Sequence, residues 1–247
     1  MKVLHLLNTS RFSGAENLVC QIISAFRDDK QIQMVYCSPD GPIRKALEDR
    51  NVSFLPLEAM TVACLKKVLK EYRPDVIHAH DMKASFTAAK AAGSIPIVSH
   101  IHNNNMDSRG LSPKSVAYLT VSRKFKHIFW VSKGAMEGYR FRDVLKKKSE
   151  VLYNIIDPES IRRQAEQCED CKAYDVVYLG RLAGLKDPLR LMSVFQRVLA
   201  QVPNARLAVI GSGELEEETK ERAKMLGIEK NVEFLGFVSG PAGLLSR

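Results

Sequence analysis

No stretch of this 247-residue chain stays apolar for long. None approaches the roughly 18 residues that a bilayer-spanning helix needs. The opening MKVLHLLNTSRF carries one Lys and an apolar run of about five residues, too short for a signal-peptide core, and no small-residue cleavage site follows it. It reads as a buried first strand. Cysteine is scarce, and its five copies are too scattered for a disulfide framework. Cys20, Cys37 and Cys64 lie in apolar stretches and read as small core residues. Cys168 and Cys171 form a C-x-x-C without a second Cys or His pair nearby, which reads as an incidental pair in a polar linker rather than a zinc or redox site. The expected compartment is the reducing cytoplasm. The sequence contains neither G-x-G-x-x-G nor a Walker motif, which disfavours a nicotinamide or flavin dinucleotide and a P-loop. It shows no internal repeat, and no aromatics spaced to stack on nucleic acid, so nucleic acid is not an expected partner.

What remains is an ordinary globular composition, 45% apolar and 26% charged, in a chain long enough to bury a core. The net charge is +9, and it is localised. From Arg109 to Lys148 there are eleven Lys and Arg against two acids, Glu137 and Asp143; the rest of the chain balances. Basic excess in one stretch points either to a solvated surface or to an anionic partner, such as a phosphorylated substrate or a membrane surface.

Short apolar runs alternate with helical spacing. Strands are expected at 3–7, 32–37, 52–57, 75–79, 95–101, 127–131 and 151–153. Helices are expected at 14–26, 43–50, 62–72, 83–92 and 112–122, with a broken helical stretch over 133–148. Arg73-Pro74 ends one helix, because proline disfavours helical geometry in the residue before it. Strict alternation implies a doubly wound parallel α/β sheet. From Asp157 to Lys172 the chain turns polar, as a helix or linker, then the pattern restarts with strands at 174–179, 206–210 and 232–235. Asp187-Pro188 starts a helix there, with Leu191, Val194, Phe195 and Val198 as its expected apolar face. The organisation read from this is a first domain over 1–156, a linker over 157–173 and a partial second domain over 174–247.

Ligands in such sheets bind beyond the carboxyl ends of the strands. After the first strand, Asn8 to Glu16 leads into a helix whose free N–H groups could hold an anion. After the fourth and fifth come His78-Ala79-His80-Asp81 and His100-Ile101-His102. Residues i and i+2 of a strand share a side. These four histidines read as a polar cleft lining with one acid, base or donor among them. A metal is set aside, because no carboxylate or Cys companion stands in a fixed motif. In the second half, Gly180-Arg181-Leu182-Ala183-Gly184-Leu185-Lys186-Asp187 places an Arg fork and a Lys point charge before a helix start. That pair suits a pyrophosphate, or is simply two solvated cations. Gly211-Ser212-Gly213-Glu214 forms a second small loop.

These segments, taken in order, resemble family 4 glycosyltransferases of the two-domain GT-B type. Ser13-Gly14-Ala15-Glu16 is similar to the family's G-G-A-E loop, and Asp75 to His80 to its D-V-I-H-x-H strand. Pro96 to His102, Val131-Ser132-Lys133, and Val151 to Asp157 with Asn154 resemble further family segments. Gly180-Arg181-Leu182 with Lys186 resembles G-R-L-x(3)-K-G, and LAVIGSG and VEFLGF also fit. The resemblance implies two facing Rossmann-like domains and retaining transfer of a sugar from a nucleotide-diphosphate sugar to a glycan or lipid-linked acceptor. It implies no cofactor and no metal. Arg181 and Lys186 would neutralise the leaving diphosphate, Gly14 would let the first loop approach it, and His102 would serve the acceptor side as the catalytic candidate. Ser13, Glu16, His80, Asn154, Gly180, Gly211 and Gly213 would line the donor and acceptor cleft. An anionic inner-membrane face is a candidate docking surface. The sequence departs from the family at Ser13, where a glycine is usual, and at Ile155 after Asn154. The family's acidic Glu-x(7)-Glu segment would fall beyond Arg247, so these residues are expected to form an incomplete, catalytically inactive or nearly inactive chain. Alternatives on the same residues are a nucleotide-sugar epimerase and a non-catalytic remnant or binding module.

Overall fold

A computed structural model describes residues 1–102, 108–155, 158–166, 172–238 and 242–245; the Cys168–Cys171 pair lies outside them. The chain divides into two units, Met1–Ile155 and Ile156–Arg247.

The first unit alternates strand and helix. Its elements are β1 (Lys2–Leu6), α1 (Gly14–Ala25), β2 (Gln33–Pro39), α2 (Ile43–Glu48), β3 (Phe54–Leu57), α3 (Val62–Tyr72), β4 (Val76–His80), α4 (Asp81–Ala91), β5 (Ile97–Ile101), α5 (Pro113–Ser122), β6 (Phe125–Trp130), α6 (Lys133–Gly138), α7 (Arg142–Leu145) and β7 (Ser149–Val151). The seven strands form one sheet in the order β3-β2-β1-β4-β5-β6-β7, and every pairing is parallel. Parallel strands need crossover connections, so helices cover both faces and the strands become apolar on both sides. Leu4, Leu6, Ile77 and Ala79 pack on one face with Leu65, Leu69 and Ala88. Tyr36 packs on the other with Val19, Ile23, Ile43 and Leu47. Local signals set the helix ends. The Thr61 side chain accepts from Cys64 N at the start of α3, an N-cap that satisfies one free donor. Arg73 closes the helix with φ 50°, immediately before Pro74. In α1 the buried face is Leu18, Val19, Cys20 and Ile23, while Phe26 just after the helix is 42% exposed.

The second unit holds α8 (Pro158–Glu166), β8 (Val176–Leu179), α9 (Pro188–Leu199), β9 (Leu207–Ile210), α10 (Glu216–Met225), β10 (Val232–Gly236) and α11 (Ala242–Leu245). Part of the stretch read as a linker is therefore helical. Its parallel sheet runs β10-β9-β8 over a core of Leu182, Met192, Phe195, Leu207, Val209 and Ile228. Asp187 caps α9 as expected, its side chain accepting from Arg190 N, with Pro188 in the first turn. Of the expected apolar face of α9, Phe195 is buried and Leu191 and Val198 pack against this core, whereas Val194 is 51% exposed and Met192 is buried in addition.

Candidate functional site

The strand order reverses between β1 and β4, whose crossovers leave toward opposite sides. A crevice at such a switch point is where doubly wound sheets bind ligands. A cavity of about 610 Å³ lies there, lined by Asn8, Thr9, Ser13 and Glu16 after β1 and by His80, Asp81, Lys83 and Phe86 after β4, with Lys114 and Tyr118 on α5.

Histidines dominate the sheet face beside it. Register places His5 of β1 opposite His78 of β4, and His80 of β4 opposite His100 of β5. Because strand side chains alternate, His5, His78, His80, His100 and His102 share one face. His5 Nδ1 lies 3.1 Å from His80 Nε2, and His80 Nδ1 lies 2.8 Å from His102 Nε2. His5, His80 and His100 are buried. Burial disfavours the imidazolium. It pushes His5 down to about 3, helped by His100, and His100 down to about 2, helped by His102 and His78. His78 and His80 are driven well below 6.5, also chiefly by burial. His102 is lowered by burial, while the nearby Asp81 works the other way. Burial thus favours the uncharged ring throughout the cluster. Both ring nitrogens of His100, and Nε2 of His5 and of His78, lack a hydrogen-bond partner among the described residues. Each such buried group costs about 1–3 kcal/mol. Asp81 stands at a left-handed backbone conformation, φ 67°, and its carboxylate accepts from the His102 backbone N at 3.0 Å. Left-handed geometry in a non-glycine residue stores strain and tends to gather at functional sites.

The first turn of α1 does not present a bare anion site. Glu16 is 3% exposed and accepts a short hydrogen bond from the Ser13 hydroxyl. Burial raises its pKa; the Ser13 bond opposes this and the Asp81 charge adds to it. An incoming anion would meet the chain's own acid here. A Cβ added to Gly14 would have nothing within 4 Å, so any need for glycine at that position comes from a bound ligand. On the opposite face of the sheet, Ser99 joins Ser85 and Tyr118 through two 2.7 Å hydrogen bonds. Asn154 is exposed after β7.

In the second unit, the loops after β8 and β9 are pressed together. A Cβ on Gly211, whose φ is 128°, would stand 2.1 Å from the Gly180 carbonyl oxygen, and one on Gly213 would stand 2.2 Å from that of Leu182. A Cβ on Gly180 would meet the Tyr178 ring oxygen at 3.2 Å. Gly211 and Gly213, expected to line a cleft, are required first by loop-to-loop packing. Arg181 and Lys186 are exposed at the same strand ends. Arg181 makes a 3.0 Å ion pair with Glu214, whose carboxyl is held below its ordinary value by its own backbone N–H and, against slight desolvation, by the Arg181 charge and hydrogen bond.

Each unit thus keeps its own expected residues together: Ser13, Glu16 and His80 at the crevice with His102 beside it in the first, Arg181 and Lys186 in the second. Two participants escaped the sequence reading. His5 sits inside an apolar run and Tyr118 lies mid-helix; only the H-x-H spacing, with Asp81 after it, hinted at the region.

The model of Glycosyltransferase Family 4 matches residues 12–160, and that of Glycosyl transferases group 1 matches 160–245. The chain belongs to Glycosyltransferase Family 4. It is 32% identical over 117 residues, 47% of this chain and 31% of the relative, to an N-acetylgalactosaminyltransferase of Campylobacter jejuni that acts on a diphospho-undecaprenol-linked sugar. It is 23% identical over 204 residues to the uncharacterized glycosyltransferase MJ1059 of Methanocaldococcus jannaschii, covering 73% of this chain and 50% of that protein. It spans about half the length of the first curated relatives it matches. The fold matches Anabaena HepE in complex with UDP-glucose, with TM-score 0.81, 21% identity, all of this chain and 71% of that one. A UDP-GlcNAc 2-epimerase from Methanocaldococcus jannaschii shares the fold more loosely, with TM-score 0.63, 15% identity, 99% of this chain and 76% of that one.

Proposed function

We propose that the protein transfers a sugar, with retention of configuration, from a nucleotide-diphosphate sugar to a glycan or lipid-linked acceptor. The observation that carries this reading is the exposed Arg181 and Lys186 before the capped start of α9, beside a loop packed too tightly for any side chain at Gly211. As the glycosidic bond to the diphosphate breaks, negative charge grows on the leaving oxygen. A guanidinium fork and an ammonium placed there stabilise that charge more than they stabilise the ground state, which is what lowers a barrier. The cations do for the diphosphate what a metal does elsewhere. The first unit supplies the acceptor side. His102 and His80 stand at the ends of β5 and β4, and Ser13 and Glu16 face the crevice, with Gly14 leaving space for an approaching ligand. Family membership favours transfer over the epimerase reading, whose support is the fold alone.

The acceptor or its carrier is anionic in this reading. The basic stretch carries Lys114, Lys126, Lys133, Lys146 and Lys147 exposed beside Leu111 and Val144, 73% and 69% exposed. Apolar tips among surface lysines suit a peripheral attachment to an anionic leaflet, on the cytoplasmic side. No helix among the described residues is long and apolar enough to cross a membrane.

A thermal-shift titration with UDP, GDP and ADP tests the donor side. One nucleotide at a hundred times its Kd should raise Tm by about 5–10 °C, and Arg181→Ala should cut that rise to about half or less. No response to any of the three sinks the reading. Absence of binding to anionic vesicles at low salt sinks the membrane attachment.

A further inference from the structure

We propose that His80, His100 and His102 bind a divalent transition-metal cation of the zinc class. One candidate ligand atom from each lies within 4.8 Å of the other two. Imidazole nitrogens bind zinc at about 2.0–2.1 Å, and two of them around a tetrahedral ion stand about 3.3 Å apart. Shifts of about an ångström therefore bring the three rings onto one ion.

Strand geometry builds the site. Each of two neighbouring parallel strands carries an H-x-H pair, and the register sets His80 beside His100. The rings of His100 and His102 lie 4.1 Å apart. His80 already points Nδ1 at His102 Nε2, and a cation would take the place of that hydrogen bond, ligated by both atoms. The other nitrogen of His80, Nε2, is 3.1 Å from His5 Nδ1. A metal-bound imidazole characteristically donates its second N–H to such an acceptor, which sets its tautomer and ring orientation. Asp81 holds the third ligand from behind through the His102 backbone N. His100 contributes the unexplained group. It is 1% exposed, and neither of its nitrogens has a partner among the described residues.

Donor chemistry selects the cation class. Three neutral nitrogens suit zinc, copper or nickel; magnesium and calcium need oxygen ligands. Burial that keeps these rings uncharged leaves their lone pairs available. His80 lines the crevice cavity, which gives an ion a route in and leaves a fourth position for water or a ligand. The sequence suggests no metal here, because no carboxylate or Cys companion stands in a fixed motif with the H-x-H pairs; the structure instead supplies a further histidine, His5, brought in by strand pairing. The inference stands apart from the donor reading, which rests on the second unit, and it makes His102 a ligand instead of an acid or base.

The test uses the whole chain, stripped with EDTA and dialysed to equilibrium against zinc chloride, with bound metal measured by mass spectrometry. One zinc per chain is expected, unchanged in His127→Ala and in the double variant Cys168→Ser/Cys171→Ser. His100→Ala and His102→Ala should weaken binding by at least about 10–100-fold, the loss that outer ligand partners alone produce. Where an alanine variant melts early, His100→Gln carries the same comparison. Cobalt(II) in place of zinc should give tetrahedral visible bands with no thiolate charge transfer. Substoichiometric zinc in the parent chain overturns the proposal. So does zinc that survives both the His100 and the His102 substitutions or departs with the cysteines.

Discussion

The Ser99 hydroxyl lies 2.7 Å from the Tyr118 phenol oxygen, and both side chains are fully buried between β5 and α5. Ser85 completes the chain at 2.7 Å. Tyr118 also lines the crevice, so this polar thread ties the cavity wall to the middle of the sheet. Ser99→Ala strands two buried hydroxyls at once, and each orphaned group costs about 1–3 kcal/mol. Tyr118→Phe removes one end and leaves Ser99 and Ser85 bonded, a loss of about 0.5–1.5 kcal/mol. Urea denaturation should therefore rank Ser99→Ala as the more damaging change. The reverse order would mean that the Tyr118 hydroxyl is satisfied from elsewhere.

Glu16 yields a pH-dependent prediction. Its carboxyl pKa is raised in the folded chain, chiefly by burial. The folded state therefore holds a proton that the unfolded state releases as pH climbs through 4.5. Stability linked to this group is fully present below that value and lost as pH rises through the raised folded pKa. Glu16→Gln removes the ionisation while keeping an acceptor for Ser13. The variant should melt above the parent at pH 7.5, by a margin that shrinks as pH falls toward 4.5. A margin independent of pH would assign the gain to packing.

Much of this arrangement was legible in sequence, and the misses have physical causes. Parallel strands buried on both faces read as continuous apolar runs, so all ten strand positions stood out to within a few residues. Asp187-Pro188 announced α9 because capping is local chemistry. The H-x-H pairs marked two strand ends. His5 stayed hidden because only pairing with β4 sets it opposite His78, and pairing is a tertiary fact. Val194 was assigned inward because helical spacing defines a stripe without fixing its orientation, and Met192 took that place.

The glycines separate two reasons for the same residue. Gly213→Ala would drive a Cβ to within 2.2 Å of the Leu182 carbonyl, a contact that backbone atoms cannot relieve by a rotamer change. It should destabilise the second unit by several kcal/mol, on the order of a severe overpacking. Gly14→Ala meets nothing within 4 Å and sits in the first turn of a helix, so Tm should hold or rise slightly. If a ligand does approach this loop, affinity for donor or acceptor analogues should fall while the melt stays put. Parallel melts and titrations of the two variants read this directly.

Arg181 and Glu214 supply the last prediction. Their ion pair is 3.0 Å long, with side chains 66% and 55% exposed. Exposed pairs contribute about 0–1 kcal/mol to stability, so Glu214→Gln should melt within about 4 °C of the parent chain. Binding should move far more. In the free protein the Glu214 carboxylate competes for the guanidinium that a diphosphate would use, and an incoming dianion must displace it. Neutralising that competitor should tighten nucleoside diphosphate binding by severalfold. Arg181→Ala, which removes a charge-assisted bond of about 1.5–3 kcal/mol, should weaken it by about 10–150-fold. Calorimetric titration of both variants decides the matter. Opposite shifts identify Arg181 as the diphosphate contact and Glu214 as its placeholder; equal losses would show that the pair acts as one rigid unit and that the phosphate lies elsewhere.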